Sequence, residues 1–120
     1  MGTADGAEPH SWAKISTHVI DTVKGEPAVD LYVRLERRDA NGWTTIAEGR
    51  TDDEGRLRHW VPTHGWQAGG YRLMFYTEPY LGGGAFFPEI TVSFHVHDPS
   101  RHYHIPLLLS PYGYTTYRGS

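Results

Sequence analysis

The sequence predicts an all-β protein, built as a two-sheet β-sandwich. In several short segments apolar and polar residues alternate with a period of two, as they do in half-buried strands. Turn signals recur at roughly the eight- to twelve-residue spacing of sandwich proteins, and the 120 residues include fourteen glycines and eight prolines. Hardly any segment has the periodicity of an amphipathic helix. These features favour about eight short strands in one domain.

The first half of the chain contains four predicted strands. Each alternates apolar residues with polar ones, so one face of each strand is expected to pack in the core. A turn rich in glycine and proline, over residues 21–28, follows the first strand, and an Asn-Gly pair after the second favours a hairpin. The four strands are predicted over residues 13–20, 31–36, 43–49 and 56–61.

The second half contains four more predicted strands. A loop over residues 62–70 precedes them, and residues 78–87 have room for a single helical turn because a proline and three glycines disfavour anything longer. Asp98-Pro99-Ser100 and Pro111-Tyr112-Gly113 are turns between the later strands. The strands are predicted over residues 71–77, 89–97, 102–110 and 114–120.

The strand over residues 102–110 is unusual because both of its faces contain apolar residues. Ile105, Leu107 and Leu109 share one face, whereas His104 shares the other with Leu108. A strand covered on both sides in a small sandwich predicts a partner subunit. Pro106 has no N–H to donate, which predicts that this strand is an edge or carries a bulge.

Composition excludes several classes of function. The net charge of −3 and the isoelectric point of about 6.2 provide no basic field for nucleic acid or an anionic membrane. No apolar run approaches the roughly 20 residues of a membrane span. The absence of cysteine fits a cytoplasmic location, which we take as the expectation. Residues 1–12 are small, polar and aperiodic, and are predicted to be a disordered leader.

The eight histidines differ in what their surroundings suggest. His95 and His97 stand two apart on the outward face of one strand, but a metal site would need a third ligand. His18 and His104 lie on the polar side of apolar strands. Such an imidazole is a candidate acid–base group because its pKa lies near neutrality. A histidine hydrogen-bonded at an interface explains the same pattern equally well.

Two arginines and a serine form a second group of candidates. Arg118 and Ser120 share one face of the last predicted strand, and Tyr117 has the opposite parity. Arg50 precedes an acidic turn. Guanidinium groups recognise planar, oxygen-rich groups through their forked donors. The alternative is that both arginines are surface charges in ordinary ion pairs.

Three segments, in order along the chain, resemble the 5-hydroxyisourate hydrolases, the transthyretin-like enzymes of purine breakdown. The first is ISTHVID at residues 15–21, followed by GEPA at 25–28. The second is GRTD at 49–52, followed by GR at 55–56. The third is HYHIPLLLSPYGYTTYRGS at 102–120, whose final YRGS is similar to the tetrapeptide that separates these hydrolases from the transthyretin hormone carriers.

The resemblance covers residues 13–120 and implies a transthyretin-like two-sheet sandwich with one short helix after the fifth strand. It implies a homotetramer, a dimer of dimers, with active sites in a channel between dimers. The implied reaction is hydrolysis of 5-hydroxyisourate to 2-oxo-4-hydroxy-4-carboxy-5-ureidoimidazoline, on the path from urate to allantoin. No metal and no organic cofactor are implied, and neither nucleic acid nor membrane is an expected partner.

The resemblance also implies the site residues. Catalytic roles fall to His18, Arg50, His104 and Ser120, and substrate contacts to His18, Arg50, Tyr117 and Arg118. Which histidine is the general base stays open, as do the roles of Tyr117 and Ser120 and the subunit that supplies them. The alternative function is a non-enzymatic carrier that uses the same channel for an aromatic ligand, but a carrier's channel would be more apolar at these positions.

Overall fold

The computed structural model describes residues 11–120, which form two sheets and one short helix. One sheet has the strand order β2-β1-β8-β9, with β5 paired to β1, and the other has the order β4-β3-β6-β7. The elements are β1 (Ile15–Asp21), β2 (Glu26–Pro27), β3 (Tyr32–Asp39), β4 (Gly42–Arg50), β5 (Arg56–Leu57), β6 (Gly69–Tyr76), α1 (Thr77–Leu81), β7 (Ile90–Val96), β8 (Tyr103–Ser110) and β9 (Gly113–Thr116). The predicted all-β sandwich with one short helix is confirmed.

The core lies between the two sheets and is formed by the alternating apolar residues. Val19 of β1, Val33 of β3, Phe75 of β6 and Leu107 of β8 are fully buried there. Side chains two apart on a strand share a face, so the opposite faces of both sheets point outward. None of the helices described over residues 11–120 is long and apolar enough to cross a membrane.

The predicted leader, residues 1–12, falls on residues outside the described part of the chain except for Ser11 and Trp12. Trp12 forms an isolated antiparallel bridge with Pro62. Among the described turns, the hairpin predicted at the Asn-Gly pair is confirmed, since β3 and β4 pair up to Asp39 and Gly42. The predicted helical turn is also confirmed, and α1 is capped at its C-terminal end by Gly82, which has a left-handed backbone with φ of 65°.

The prediction that β8 is an edge strand or carries a bulge was wrong. β8 lies inside its sheet, parallel to β1 on one side and antiparallel to β9 on the other, and Pro106 pairs in regular register with His18. The carbonyl of Pro106 faces β9, where it accepts a hydrogen bond of 2.7 Å from Thr116 Oγ1. Its missing N–H therefore points to the side where β9 ends, so the lost bond falls at the end of the β8–β9 ladder.

The same proline explains why β9 is shorter than predicted. A strand over residues 114–120 was expected, but β9 ends at Thr116. Continuing the ladder would require an N–H from Pro106, which has none. Pairing resumes only as an isolated bridge between His104 and Gly119, in the same register.

The fourth predicted strand, residues 56–61, was also too long. β5 comprises only Arg56 and Leu57, because the chain turns at His59, whose φ of 53° lies outside the extended region. Within the predicted turn over residues 21–28, Glu26 and Pro27 form the short strand β2 against β1. Both short strands flank the N-terminal strand that carries His18.

Candidate active site

The outer face of the β1–β8 pair carries both histidines that were candidates for acid–base chemistry. The two strands run parallel, with Ser16 beside His104 and His18 beside Pro106. Alternation along each strand places Ser16, His18 and His104 on the same side of the sheet, away from the core. Both imidazoles are half-buried. The structure therefore brings together the two predicted histidines from opposite ends of the chain.

A short chain of polar contacts holds the ring of His104. Its Nδ1 lies 2.8 Å from Ser16 Oγ, and the same oxygen lies 3.1 Å from Nε2 of His102. Ser16 is only 6% exposed. A hydroxyl group donates one hydrogen bond and accepts others through its oxygen. Ser16 therefore links the imidazoles of His102 and His104 through its hydroxyl group.

The C-terminal segment packs directly against His104. The N–H of Gly119 donates to the carbonyl of His104 across 2.7 Å. A Cβ at position 119 would lie 2.7 Å from Cδ2 of the His104 ring and 3.4 Å from Cγ of Pro106. The first distance is shorter than real Cβ contacts, so only glycine fits here without a shift of the ring. Ser120, a predicted catalytic residue, follows this contact directly and is exposed.

Burial lowers the pKa of both histidines. For His104 burial is the largest cause, followed by the nearby positive charges of His102, Arg56 and His18. For His18 burial is again the largest cause, and Arg56 adds to it. A less polar environment and like charges both disfavour the imidazolium form. Since the ordinary value is 6.5, both rings are mainly neutral near pH 7 and are able to accept a proton.

Arg56 is the guanidinium group that neighbours His18. It pairs in register with His18 across the β1–β5 ladder, so the two side chains share a face. Arg50, the predicted site arginine, ends β4 in the other sheet. Arg50 and Arg56 line one depression of about 460 Å³, together with Asp52. The outer face of β1 and β8 that carries His18 and His104 is called the histidine face. The structure places Arg50 beside Arg56 at the margin of this face.

In the isolated chain Arg50 is held by local contacts. Its Nη1 donates to the carbonyl oxygen of Asp30 across 3.2 Å and lies 3.9 Å from the Asp30 carboxylate. Its guanidinium carbon is 5.6 Å from the centre of the Tyr32 ring. With 60% of its side chain exposed, Arg50 is accessible to a ligand that enters the depression.

Tyr117 and Arg118 lie in a different recess from the two histidines. They line a cavity of about 240 Å³, together with Tyr103 and residues of β7. The guanidinium carbon of Arg118 is 4.4 Å from the centre of the Tyr103 ring, and its Nη2 donates to the carbonyl of His102 across 3.2 Å. Tyr103 has the opposite strand parity from His104. Within one chain, the predicted set is therefore divided between two faces of β8.

The structure adds three residues that the sequence did not nominate for the site: Ser16, His102 and Arg56. Strand parity could have indicated the first two, since Ser16 is two residues from His18 and His102 is two residues from His104. Arg56 had no parity signal, although it belongs to the GR pair at 55–56 that carries part of the family resemblance. It lies on a two-residue strand whose pairing with β1 depends on the whole fold.

The two histidines at the end of β7, one on the strand and one just after it, remain separate from this site. His95 and His97 are exposed, with ring centres 5.5 Å apart. Over residues 11–120 no group of three or more histidine, cysteine, aspartate or glutamate side chains is arranged to hold a metal ion. The third ligand that a metal site on this pair requires is not among these residues.

Comparisons with known proteins define the class to which this fold and site belong. The sequence profile of the HIUase/Transthyretin family matches residues 15–119, and the chain belongs to this family. Among solved structures, sea bream transthyretin in complex with thyroxine superimposes with a TM-score of 0.82 and 35% sequence identity, covering 88% of this chain and 94% of that one.

The similar curated proteins are named as enzymes. The 5-hydroxyisourate hydrolase of Salmonella dublin is 45% identical over 109 residues, which cover 88% of this chain and 80% of that protein. The 5-hydroxyisourate hydrolase of Mus musculus is 39% identical, over 88% of this chain and 94% of that protein. A solved (S)-allantoin synthase has a TM-score of 0.80 and 30% identity, covering 94% of this chain and 45% of that one.

Proposed function

We propose that this protein is a hydrolase that converts 5-hydroxyisourate to 2-oxo-4-hydroxy-4-carboxy-5-ureidoimidazoline, in the degradation of urate to allantoin. The observation that carries the proposal is the outer face of β1 and β8. Two half-buried imidazoles with lowered pKa values lie there, between a guanidinium group and the C-terminal segment. The names of the similar curated proteins identify the substrate class.

The proposed reaction adds one water molecule across a ring C–N bond. A neutral imidazole accepts a proton from water as the water oxygen attacks a ring carbonyl carbon. The C–N bond then breaks, and the resulting imidazolium returns the proton to the departing nitrogen. His104 is the preferred base, since its Nδ1 is held by Ser16 and no hydrogen bond to its other nitrogen is formed by residues 11–120. His18, on the same face, is placed to orient the water or the leaving nitrogen.

The arginines fit the charge that develops during this reaction. Attack on a carbonyl carbon places negative charge on its oxygen, and a positioned guanidinium group stabilises that charge. Arg50 is exposed in the depression that it shares with Arg56, and its forked donors suit the flat, carbonyl-rich substrate. We assign Arg50 to substrate binding and charge stabilisation, with Arg56 beside His18 in support.

The assignments at the C-terminal segment are part of the proposal. Gly119 packs on the His104 ring, which places Ser120 at the edge of the histidine face, where its hydroxyl would position the attacking water. Tyr117 and Arg118 line a separate recess in the single chain. In a single chain these two residues are therefore away from the substrate. They would contact it only in an oligomer, where the recess of one subunit lies next to the histidine face of another.

We further propose that the protein is a homotetramer, a dimer of dimers, with the histidine face lining a channel between subunits. The exposed aromatic residues Tyr112 and Tyr114, at 81% and 42% exposure, lie in and beside the β8–β9 turn. Large apolar groups at the end of an outer sheet face are typical of subunit contacts. Sedimentation velocity at micromolar concentration would test this: four chains are expected, and a monomer would contradict the channel.

A non-enzymatic carrier is the second function that the fold allows, because sea bream transthyretin was solved in complex with thyroxine. The polar character of the outer face favours hydrolysis. An aromatic ligand would have to desolvate His18, His104 and Ser16, which costs free energy that a carrier avoids with an apolar channel. Calorimetric titration with thyroxine should show no binding near micromolar concentration.

Product analysis tests the enzymatic proposal. Freshly generated 5-hydroxyisourate, labelled with carbon-13, is mixed with pure protein and followed by NMR. We expect the ring-opened hydrolysis product to form faster than in the protein-free control, and to carry one oxygen atom from labelled water. Equal rates with and without protein, together with tight thyroxine binding, would favour the carrier instead.

A further inference from the structure

Ser16 and His102 lie beside His104, but neither of them transfers a proton or contacts the substrate in the proposed reaction. Ser16 is almost completely buried, yet its hydroxyl oxygen is within 2.8 Å of His104 Nδ1 and 3.1 Å of His102 Nε2. Burying a hydroxyl group is unfavourable unless it forms hydrogen bonds. Here both available partners are imidazole nitrogens, so the proton of Ser16 determines which tautomers the two rings adopt.

Two arrangements of protons satisfy the hydrogen bonds that join His104, Ser16 and His102. In the first, Nδ1–H of His104 donates to Ser16, and the Ser16 hydroxyl donates to Nε2 of His102. In the second, Nε2–H of His102 donates to Ser16, and the hydroxyl donates to Nδ1 of His104. A neutral imidazole has one donor and one acceptor nitrogen. The first arrangement therefore leaves a free electron pair on Nε2 of His104, whereas the second places a proton there.

The chemistry of proton uptake favours the first arrangement. Ser16 Oγ engages Nδ1, so Nε2 is the ring nitrogen that is left to take up a proton. In the first arrangement the bond from Nδ1–H to Ser16 persists when Nε2 becomes protonated, so no rearrangement accompanies proton uptake. In the second arrangement Nε2 already carries a proton, and uptake at Nδ1 would break the bond that the Ser16 hydroxyl donates.

We propose that Ser16, with His102 behind it, is a positioning residue that holds His104 as the Nδ1–H tautomer and so leaves Nε2 to accept the proton from water. The catalytic consequence rests on the proposed hydrolase function, whereas the tautomer itself does not. Neither residue would touch the substrate. Their role is to favour the Nδ1–H tautomer of a neutral ring that would otherwise populate both the Nδ1–H and the Nε2–H tautomer.

The surroundings of the ring support this orientation. Cδ2, the carbon against which Gly119 packs, is bonded to Nε2, so Nε2 lies beside the C-terminal segment that carries Ser120. Arg118 donates to the carbonyl of His102 and Gly119 donates to that of His104. The charged and titratable groups that act on His104 are His102, which precedes β8, His18 on β1 and Arg56 on β5. None of these contacts competes with Ser16 for Nδ1.

Nitrogen-15 NMR of the histidine rings in the full-length protein tests the tautomer without reference to activity. We expect His104 to show a protonated Nδ1 and an unprotonated Nε2 at neutral pH. In Ser16→Ala the population should shift towards the Nε2–H form, because Nδ1–H loses its hydroxyl acceptor. A wild-type His104 with its proton on Nε2, or an unchanged tautomer in Ser16→Ala, would overturn the proposal.

Kinetics then test the positioning role. Ser16→Ala should lower kcat about 10-fold, the factor that one orienting hydrogen bond contributes, and leave KM within about 2-fold. His102→Ala should act in the same direction, and His102→Gln should restore part of the loss because the glutamine carbonyl accepts from Ser16. The pH profile of the variants should differ from wild type on its acid side.

Thr17→Val is the matched control. Thr17 lies next to Ser16 on β1 and also donates its hydroxyl to β8, across 2.6 Å to the carbonyl of Ile105, but it faces the core. We expect it to lower the melting temperature and to leave kcat within about 2-fold. If Thr17→Val and Ser16→Ala reduce kcat equally, the role of Ser16 is structural and the proposal fails. If wild type has no hydrolase activity, the proposed function fails, while the NMR result still decides the tautomer.

Discussion

The two faces of β8 contain different kinds of residues and serve different purposes. The inner face presents Ile105, Leu107 and Leu109, all buried in the sandwich core. The outer face presents His104, whose ring is half-buried and contacts Ser16. A residue on the inner face contributes to stability through buried apolar area. A residue on the outer face contributes little to the stability of the core, so a catalytic side chain can occupy this position without a loss of core packing.

This division predicts that single substitutions will separate activity from stability. A change on the outer face should remove catalysis and leave the fold intact, and a change on the inner face should do the reverse. His104 and Leu107 lie three residues apart on β8 and on opposite faces, so substitutions at these two positions provide the clearest comparison of activity with stability. Because they share a backbone, a general distortion of β8 would affect both properties together.

The largest effect is expected for His104→Ala. Loss of a general acid or base reduces the rate on the order of 10² to 10⁴-fold. His104 is on the outer face and half-buried, so the melting temperature should change little. Steady-state kinetics and thermal unfolding on the same preparation would check both expectations. A variant within a few-fold of the wild-type rate would remove His104 from the mechanism.

Leu107→Ala should have the opposite effect. Leu107 is completely buried, and removing a buried leucine side chain costs about 2 to 5 kcal/mol of unfolding free energy. Denaturant unfolding would measure this loss. The rate per folded molecule, determined well below the melting temperature, should remain within a few-fold of wild type. Loss of activity in fully folded Leu107→Ala would show that the two faces are not independent.

Gly119→Ala should have an intermediate effect on activity. Its added methyl group would lie 2.7 Å from Cδ2 of His104, so the ring or the C-terminal segment has to move. We expect kcat to fall about 10-fold, because general acid–base catalysis depends on the position of the base, with little change in stability. Gly84→Ala is a suitable control, since a Cβ there meets nothing closer than 3.6 Å.

The pH dependence should reflect the lowered pKa values of the two histidines. A general base acts in its neutral form, so the rate should be constant near neutrality and decline as pH falls through the lowered pKa of His104, which lies below 6.5. A midpoint above 6.5, measured as kcat/KM after subtraction of the spontaneous decay, would contradict burial as the dominant influence.

The same shifts predict the sign of an effect on stability. As pH falls below 6.5, the unfolded chain binds protons before His18 and His104 do so in the folded protein. The free energy of unfolding should therefore decrease from that pH down to the lowered folded-state values, and be unaffected by these groups above it. Replacing His104 with alanine should remove part of this acid sensitivity in denaturant titrations.

The fold was largely predictable from local pattern. Alternation along β1, β3, β7 and β8 identified the strands and their inner faces, because one face of each strand is buried in the sandwich. The position of α1 required the family resemblance, since Pro79 and the glycines at 82–84 obscure a five-residue helix. Apart from the β3–β4 hairpin, what local pattern could not predict was the pairing between strands.

Pairing determines the features that were predicted wrongly or missed. Pro106 is compatible with an interior strand only because β9 stops beside it. Arg56 meets His18 only because a two-residue strand pairs with β1. The positions of Tyr117 and Arg118 follow from the interrupted β8–β9 ladder. Each depends on which residues face each other across neighbouring strands, which the periodicity within one strand does not reveal.

The central claim is that the outer face of β1 and β8 hydrolyses 5-hydroxyisourate. The most direct test is the ultraviolet decay of freshly made 5-hydroxyisourate, measured by stopped flow at increasing concentrations of pure wild-type protein. We predict a rate that rises linearly with protein concentration above the spontaneous decay. A rate that stays at the spontaneous value at every protein concentration would contradict the account.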